Sequence, residues 1–340
     1  MSGDWSVELV IVIFLAMSFD FVNGFHDAAN AIATCVSTRA LSPRNAILMA
    51  RTLNFTGALV HVQVAKTICE NIINVSGQNQ AMSIVLVALI GAIGWDLITW
   101  YLGLPSSSTH ALVGGLMGAG LVAIGYQSWV WTGIRKVLIA MVFSPIIGVV
   151  VGLITISILY WIFRRSQPGH ANRNFRWAQI GSAAWMSLSH GMSDAQTSMG
   201  IVTLALTMSH FISTDGGFYV PWYVKLTSAL MMGFGTSMGG WRIIKTMGMR
   251  MVDLKPVDGF AAEFSSGAVI MANSFFGAPV STTHIISCSI MGTGAAKNLT
   301  NIRWGIVRRI VSAWIFTIPG AAIIAGLAWL VRSFLVGLFH

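Results

Sequence analysis

Charge is what this sequence has least of. Acidic residues number 11 and basic residues 20 in a chain of 340, so only 9% of side chains are charged, against about a quarter in a soluble domain. A chain so poor in charge cannot clothe a water-facing surface. With 55% hydrophobic residues and a mean hydropathy of +0.73 it reads as an integral membrane protein. Cysteine is equally sparse: Cys35, Cys69 and Cys288 show no paired spacing and lie in or beside apolar sequence, which gives neither a disulfide framework nor a zinc site. The net charge of +9 forms no continuous basic stripe, so nucleic acid is excluded as a partner. No loop is long enough for a soluble domain. No basic segment precedes the first apolar run, which carries Asp20 and lacks a small-residue cleavage pattern, so that run is read as a span and not as a removed leader.

What is present is one apolar run after another. They lie near 7–25, 46–65, 81–104, 111–125, 137–163, 177–189, 195–208, 221–240, 261–276, 285–296 and 305–338, several too short to cross a bilayer alone. Trp129, Trp131, Trp222 and Trp304 fall near run ends, where amphipathic rings prefer the membrane interface. If the N-terminus is outside and each half crosses five times, 14 of the 20 basic residues face inward, as the positive-inside rule prefers. Arg135 and Lys136, which this scheme leaves outside, are its weak spot.

Two stretches interrupt this apolar background in the same way. Gly277 to His284 reads Gly-Ala-Pro-Val-Ser-Thr-Thr-His, and Gly103 to His110, 174 residues earlier, reads Gly-Leu-Pro-Ser-Ser-Ser-Thr-His. A proline, a hydroxyl triplet and then an apolar run mark a helix N-terminus, where free N–H groups and the positive dipole end suit an oxyanion. The triplets are Ser107, Ser108, Thr109 and Ser281, Thr282, Thr283. Ordinary helix caps explain either stretch alone; duplication within membrane sequence argues for a site.

A second pair runs in the same order. Gly24 to Asn30 carries Asp27, and Gly191 to Thr197, 167 residues later, carries Asp194. Each half is then an Asp segment, two further spans, the proline–hydroxyl segment and a closing span. Residues 1–163 form the first repeat, 164–176 a basic cytoplasmic linker and 177–340 the second repeat. An odd number of crossings per half turns the second repeat upside down. The expected fold is therefore an all-α polytopic membrane protein of two inverted-topology repeats, with discontinuous helices broken at Asn23–Gly24 and His190–Gly191 and hairpin-like half-helices. A mid-membrane carboxylate costs about 2.5–3.5 kcal/mol on insertion scales, so Asp27 and Asp194 need a partner, an ion or a cap of backbone N–H groups. His110 and His284 suit either a structural role or proton transfer. Asp20, Arg51, Asn54, Asp96, Glu263 and Asn273 are further intramembrane polar residues whose roles the sequence leaves open.

These segments resemble the inorganic phosphate transporter (PiT) family of secondary carriers, whose signatures are a Gly-Ala-Asn-Asp-like segment and a Pro-Val-Ser-Thr-Thr-His segment in each half. The second half matches through Ser189 to Gln196, Gly239 to Gly248, Gly259 to Glu263 and Pro279 to His284. The first half matches through Asp27 to Ala31, Leu41 to Arg44, Asn54 to Ala58 and Pro105 to His110. The family's Asn before the Asp is His26 here in the first half and Ser193 in the second, and Ser106 replaces the Val of the first hydroxyl segment. The resemblance implies a cation-coupled importer of inorganic phosphate in the bacterial inner membrane, not an enzyme, working by alternating access without a resident cofactor. It implies phosphate bound by Ser106, Ser107, Ser108, Thr109, Ser281, Thr282 and Thr283. Co-transported sodium or a proton would be handled by Asp27, Asn30, Asp194, Gln196 and Thr197, with Asp27 and Asp194 as the sodium ligands. Membrane lipid and a second copy of the chain are the further candidate partners. Sulfate, or another tetrahedral oxyanion, is the alternative substrate. A channel and an intramembrane hydrolase are the alternatives from other classes.

Overall fold

In the computed structural model, which describes residues 5–74, 80–213 and 217–338, the chain is helical, with no strand among the described residues. The first half forms α1 (Val7–His26), α2 (Ala28–Ser37), α3 (Pro43–Ala58), α4 (Gln63–Asn71), α5 (Ala81–Leu102), α6 (Ser108–Ile124) and α7 (Trp131–Ile162). The second forms α8 (Pro168–Met208), α9 (Trp222–Met238), α10 (Trp241–Lys245, continued by a π-helical turn to Arg250), α11 (Pro256–Phe275), α12 (Thr282–Ala295) and α13 (Trp304–Leu338). Small hydroxyl residues set several of the starts. Ser6 accepts from the Leu9 N–H at 3.1 Å and Ser42 from the Asn45 N–H at 3.3 Å, the latter just ahead of a proline in the first turn.

Contacts come in pairs, one from each half. Gly24 of α1 lies so close to α9 that a Cβ there would come within 2.4 Å of the Met232 carbonyl, and Gly191 of α8 lies so close to α3 that a Cβ would come within 2.2 Å of the Asn54 carbonyl. Gly103 ends α5 and Gly277 follows α11, both with φ +66°, a conformation open to glycine. Thr246 donates to the Gly103 carbonyl at 2.8 Å, and Thr67 donates to the Gly277 carbonyl at 2.8 Å. Isolated antiparallel bridges join Ile73 to Trp129 and Val252 to Ile302. Pro145 lies inside α7 and Pro319 inside α13. The two halves interlock: α6 packs along α13 and α12 along α7, so each half's short helix rests on the closing helix of the other.

Several expectations need correction. The helix does not break at Asn23–Gly24; α1 runs on to His26 and the interruption falls at Asp27, while α8 passes through His190 and Gly191 without a break. The reason is packing: Gly24 and Gly191 serve as close-approach points against α9 and α3, not as flexible joints. The two expected runs 177–189 and 195–208 are thereby one helix of 41 residues. Conversely, the run 46–65 is divided, because α3 stops at Ala58 and α4 begins at Gln63. Helix α8 also reaches back to Pro168, so most of the basic stretch between the halves is its first turns.

Among the described residues, four helical stretches are long and apolar enough to cross a membrane by themselves: Val7–Ser37, Ala81–Leu102, Trp131–Ile162 and Trp304–Leu338. Along α7 the side chains of Val142, Phe143, Ile146 and Ile154 are each more than half exposed, a surface stable only in lipid or under another apolar body. The protein is a multi-pass membrane protein of the cell membrane.

Candidate transport site

Where α1 gives way to α2, Asp27 occupies the cap position of α2, yet its side chain makes no capping bond. Instead Oδ1 lies 2.7 Å from Nδ1 of His26 and accepts from Thr283 Oγ1 at 3.4 Å. Asp194 lies within α8. Its Oδ2 accepts from Thr282 Oγ1 at 2.9 Å and stands 3.2 Å from Nε2 of His190, one turn earlier on the same helix. Asp194 Oδ1 has no partner among the described residues. One ligand atom from each of Asp27, His190 and Asp194 lies within 4.8 Å of the others, and all three residues are buried. Two carboxylates that close, out of water, require a cation or a shared proton.

Hydroxyl and amide groups of both halves close around this cluster. Asn30 Nδ2 donates to Thr283 Oγ1 at 2.8 Å and reaches Thr282 Oγ1 at 3.3 Å, while its Oδ1 has no partner among the described residues. The corresponding contact from the other half joins Thr109 Oγ1 to Thr197 Oγ1 at 3.4 Å. Ser107 and Ser281 cap α6 and α12, accepting from the N–H groups of His110 at 3.3 Å and His284 at 3.2 Å. A hydroxyl that accepts in this way still has its own proton to donate. Ser108 is buried and its hydroxyl is unpartnered among the described residues. Ser106 stands 2.8 Å from Thr99 Oγ1 and 3.3 Å from His26 Nε2, at one edge of the cluster. Thus Asp27, Asn30, Asp194, Thr282 and Thr283 come together at the start of α12, while Thr197, three residues beyond Asp194 on α8, meets Thr109 at the start of α6.

Gln196 does not join them. Its Oε1 accepts from the Val64 N–H at 2.8 Å and the Ala65 N–H at 3.2 Å, capping α4, and its Nε2 faces His61 and the Met192 carbonyl. Both ends of the amide are engaged in holding α4 on α8, which corrects its expected place among the cation-handling residues. His110 and His284 face each other with ring centroids 5.1 Å apart, and His284 packs on Trp314 at 4.1 Å. Their ring nitrogens have no partner among the described residues.

His190 is the cluster member that sequence reading missed as a site residue. Its position four residues before Asp194 was the available signal, since that spacing stacks two side chains on one helix face. The other buried carboxylates lie outside the cluster. Glu263 accepts from Ser182 at 2.5 Å and Gln179 at 3.4 Å and is bonded by Thr34, a satisfied network tying α2, α8 and α11 together. Asp20 is bonded by Ser198, and both oxygens of Asp96 lack partners among the described residues.

The pattern of the phosphate transporter family matches residues 23–325. A protein of Bacillus subtilis (strain 168) described as a probable low-affinity inorganic phosphate transporter is 42% identical over 324 residues, covering 95% of this chain and 97% of the relative. One of the same description from Rhizobium meliloti (strain 1021) is 44% identical over 325 residues, covering 94% and 95%. Among solved structures, one titled the sodium-dependent phosphate transporter superposes with a TM-score of 0.88 at 25% identity, covering 97% of this chain and 100% of that one.

Proposed function

We propose, from the premise that this chain belongs to the phosphate transporter family, that it imports inorganic phosphate together with a cation, sodium or a proton, by alternating access between two inverted repeats. The observation that carries the reading is the convergence of Asp27 from the first half with His190 and Asp194 from the second within 4.8 Å, beside the Thr282 and Thr283 hydroxyls and the Asn30 amide. The cluster as described contains no lysine or arginine. An anion bound there has helix N-termini and hydroxyl donors for its oxygens, and in this reading its charge is compensated by a cation or proton taken up among the two carboxylates and the histidines beside them, His26 and His190. Binding of either ion then favours the other, and that mutual dependence is the coupling.

In this reading phosphate lies between the starts of α6 and α12, held by Ser106, Ser107, Ser108, Thr109, Ser281, Thr282 and Thr283. Asp27, Asn30, Asp194 and Thr197 handle the cation. The paired contacts of Gly24 and Gly191, of Thr67 and Thr246 and of the two isolated bridges support an internal twofold relation of the kind that inverted repeats produce. Alternating access would then exchange the arrangements of the halves around a fixed site.

Radiolabelled phosphate uptake into proteoliposomes, with sodium and proton gradients imposed separately, tests this reading. The expected result is saturable uptake that accelerates under one of the two gradients. Uptake proportional to phosphate concentration and indifferent to both gradients would indicate a pore and overturn it.

A further inference from the structure

One of the basic residues that the positive-inside pattern leaves outside, Lys136, lines a cavity. Lys136 stands in the second turn of α7, just beyond the paired rings of Trp129 and Trp131, whose centroids are 5.3 Å apart. It opens a trough of about 430 Å³ whose floor is one face of α7, Ile139, Phe143, Ser144 and Ile147 in turn, with the Gly277–Val280 loop as its back wall. At 1.5 Å per residue, the step from Lys136 to Ile147 spans about 16 Å along the helix. Ser144, a lining residue that is 4% exposed, has a buried hydroxyl with no partner among the described residues.

The other half carries a counterpart. Arg308 and Arg309, one turn into α13 beyond Trp304, open a second trough of about 400 Å³ whose walls include Ser312, Phe316 and, at the back, Leu104 of the other proline–hydroxyl segment. Other basic residues near helix ends are paired: Lys297 with Asp258 at 2.5 Å, Arg303 with Asp253 at 3.0 Å and Arg332 with Glu8 at 2.9 Å. Lys136, Arg308 and Arg309 have no such acidic partner among the described residues, and all three are exposed.

We propose that both troughs bind anionic phospholipid, taking the lipid phosphate at Lys136 in one and at Arg308 and Arg309 in the other, with one acyl chain laid along α7 or α13. Depth selects the occupant. The cation lies at the interface marked by tryptophan, and everything further along the same helix face is apolar apart from one hydroxyl, the order of groups in a lipid and not in a free anion. Each bound chain abuts the loop that leads into a hydroxyl triplet, and that loop is already tied to its neighbour by the Thr67–Gly277 or the Thr246–Gly103 bond. On the inverted-repeat reading, on which this one point rests, the troughs open to opposite leaflets.

The test is lipid retention by the purified full-length protein, measured by native mass spectrometry after addition of phosphatidylglycerol or phosphatidylcholine. This readout does not depend on transport. Two phosphatidylglycerol adducts are expected and phosphatidylcholine is not retained; Lys136→Gln loses one adduct, Lys136→Arg keeps it, and adding Arg308→Gln and Arg309→Gln to Lys136→Gln removes both. Equal retention by the wild type and the triple variant overturns the proposal. Displacement of the adducts by inorganic phosphate would assign the basic residues to the free anion, and disulfide-linked dimers through Phe143→Cys in vesicles would assign the trough to a second copy; either result also overturns it.

Discussion

Replacing Thr283 by valine removes a single hydroxyl and keeps the branched shape. That hydroxyl accepts from Asn30 at 2.8 Å and donates to Asp27 at 3.4 Å, so it ties α12 of the second half to the carboxylate of the first. In the proposed site the single proton of this hydroxyl turns from Asp27 to phosphate when the cation occupies the carboxylate. Loss of a hydrogen bond to a charged group costs about 1.5–3 kcal/mol, equivalent to a rise of roughly 10- to 150-fold in the phosphate dissociation constant. Thr283→Ser restores the hydroxyl without the methyl and should recover most of the affinity. Ser281→Ala provides the contrast. Its hydroxyl caps α12 through the His284 N–H at 3.2 Å, and losing such a cap costs about 1 kcal/mol of stability, so this variant should melt earlier as well as bind more weakly. Phosphate binding by calorimetry and thermal unfolding, measured on the same purified samples, separate the two effects. Thr283→Val protein that binds phosphate with unchanged affinity would refute the reasoning, because the polar contacts around Thr283 would then serve packing alone.

Asp27→Asn and Asp194→Asn preserve shape while removing the charge assigned to the cation. Both should express and fold, and uptake by each should lose its response to the driving gradient; an unchanged cation dependence in either variant would return that residue to a structural role. Gly191→Ala and Gly24→Ala drive a Cβ to within 2.2 Å of the Asn54 carbonyl and 2.4 Å of the Met232 carbonyl. Overpacking against backbone costs about 1–3 kcal/mol, so both variants should show lowered melting temperatures, whereas Gly181→Ala, which meets nothing within 4 Å, should not. A cysteine introduced at Gln167 should react with an impermeant maleimide only from the cytoplasmic side, and labelling only from outside would reverse the proposed orientation.

The segments that meet in the Asp27–Asp194 cluster were legible because they are duplicated. Asp27 with Asn30 and Asp194 with Thr197 stand in matching places, and the structure bonds the first three to Thr282 and Thr283 and sets Thr197 against Thr109. Gln196 was misplaced because a polar side chain within an apolar run looks the same whether it faces an ion or caps a neighbouring helix. Only the position of α4, which a nine-residue stretch does not reveal, settles the matter. The expected breaks at Gly24 and Gly191 failed for a related reason. Glycine in a membrane helix serves close packing as readily as bending, and the contacts that decide between the two come from the opposite half. The interlocking of α6 with α13 and α12 with α7 has no local signature, since a helix face packed on protein and one packed on lipid are both apolar.

The proposal that phosphate lies between the two halves is tested most directly by diffraction at the arsenic absorption edge from crystals grown with arsenate, a tetrahedral oxyanion of the same charge class. A single anomalous peak should appear within hydrogen-bonding distance of the starts of both α6 and α12, beside the Asp27–Asp194 pair. A peak that contacts only one half, or one that appears only beside Lys136 with none near Thr283, would contradict the account.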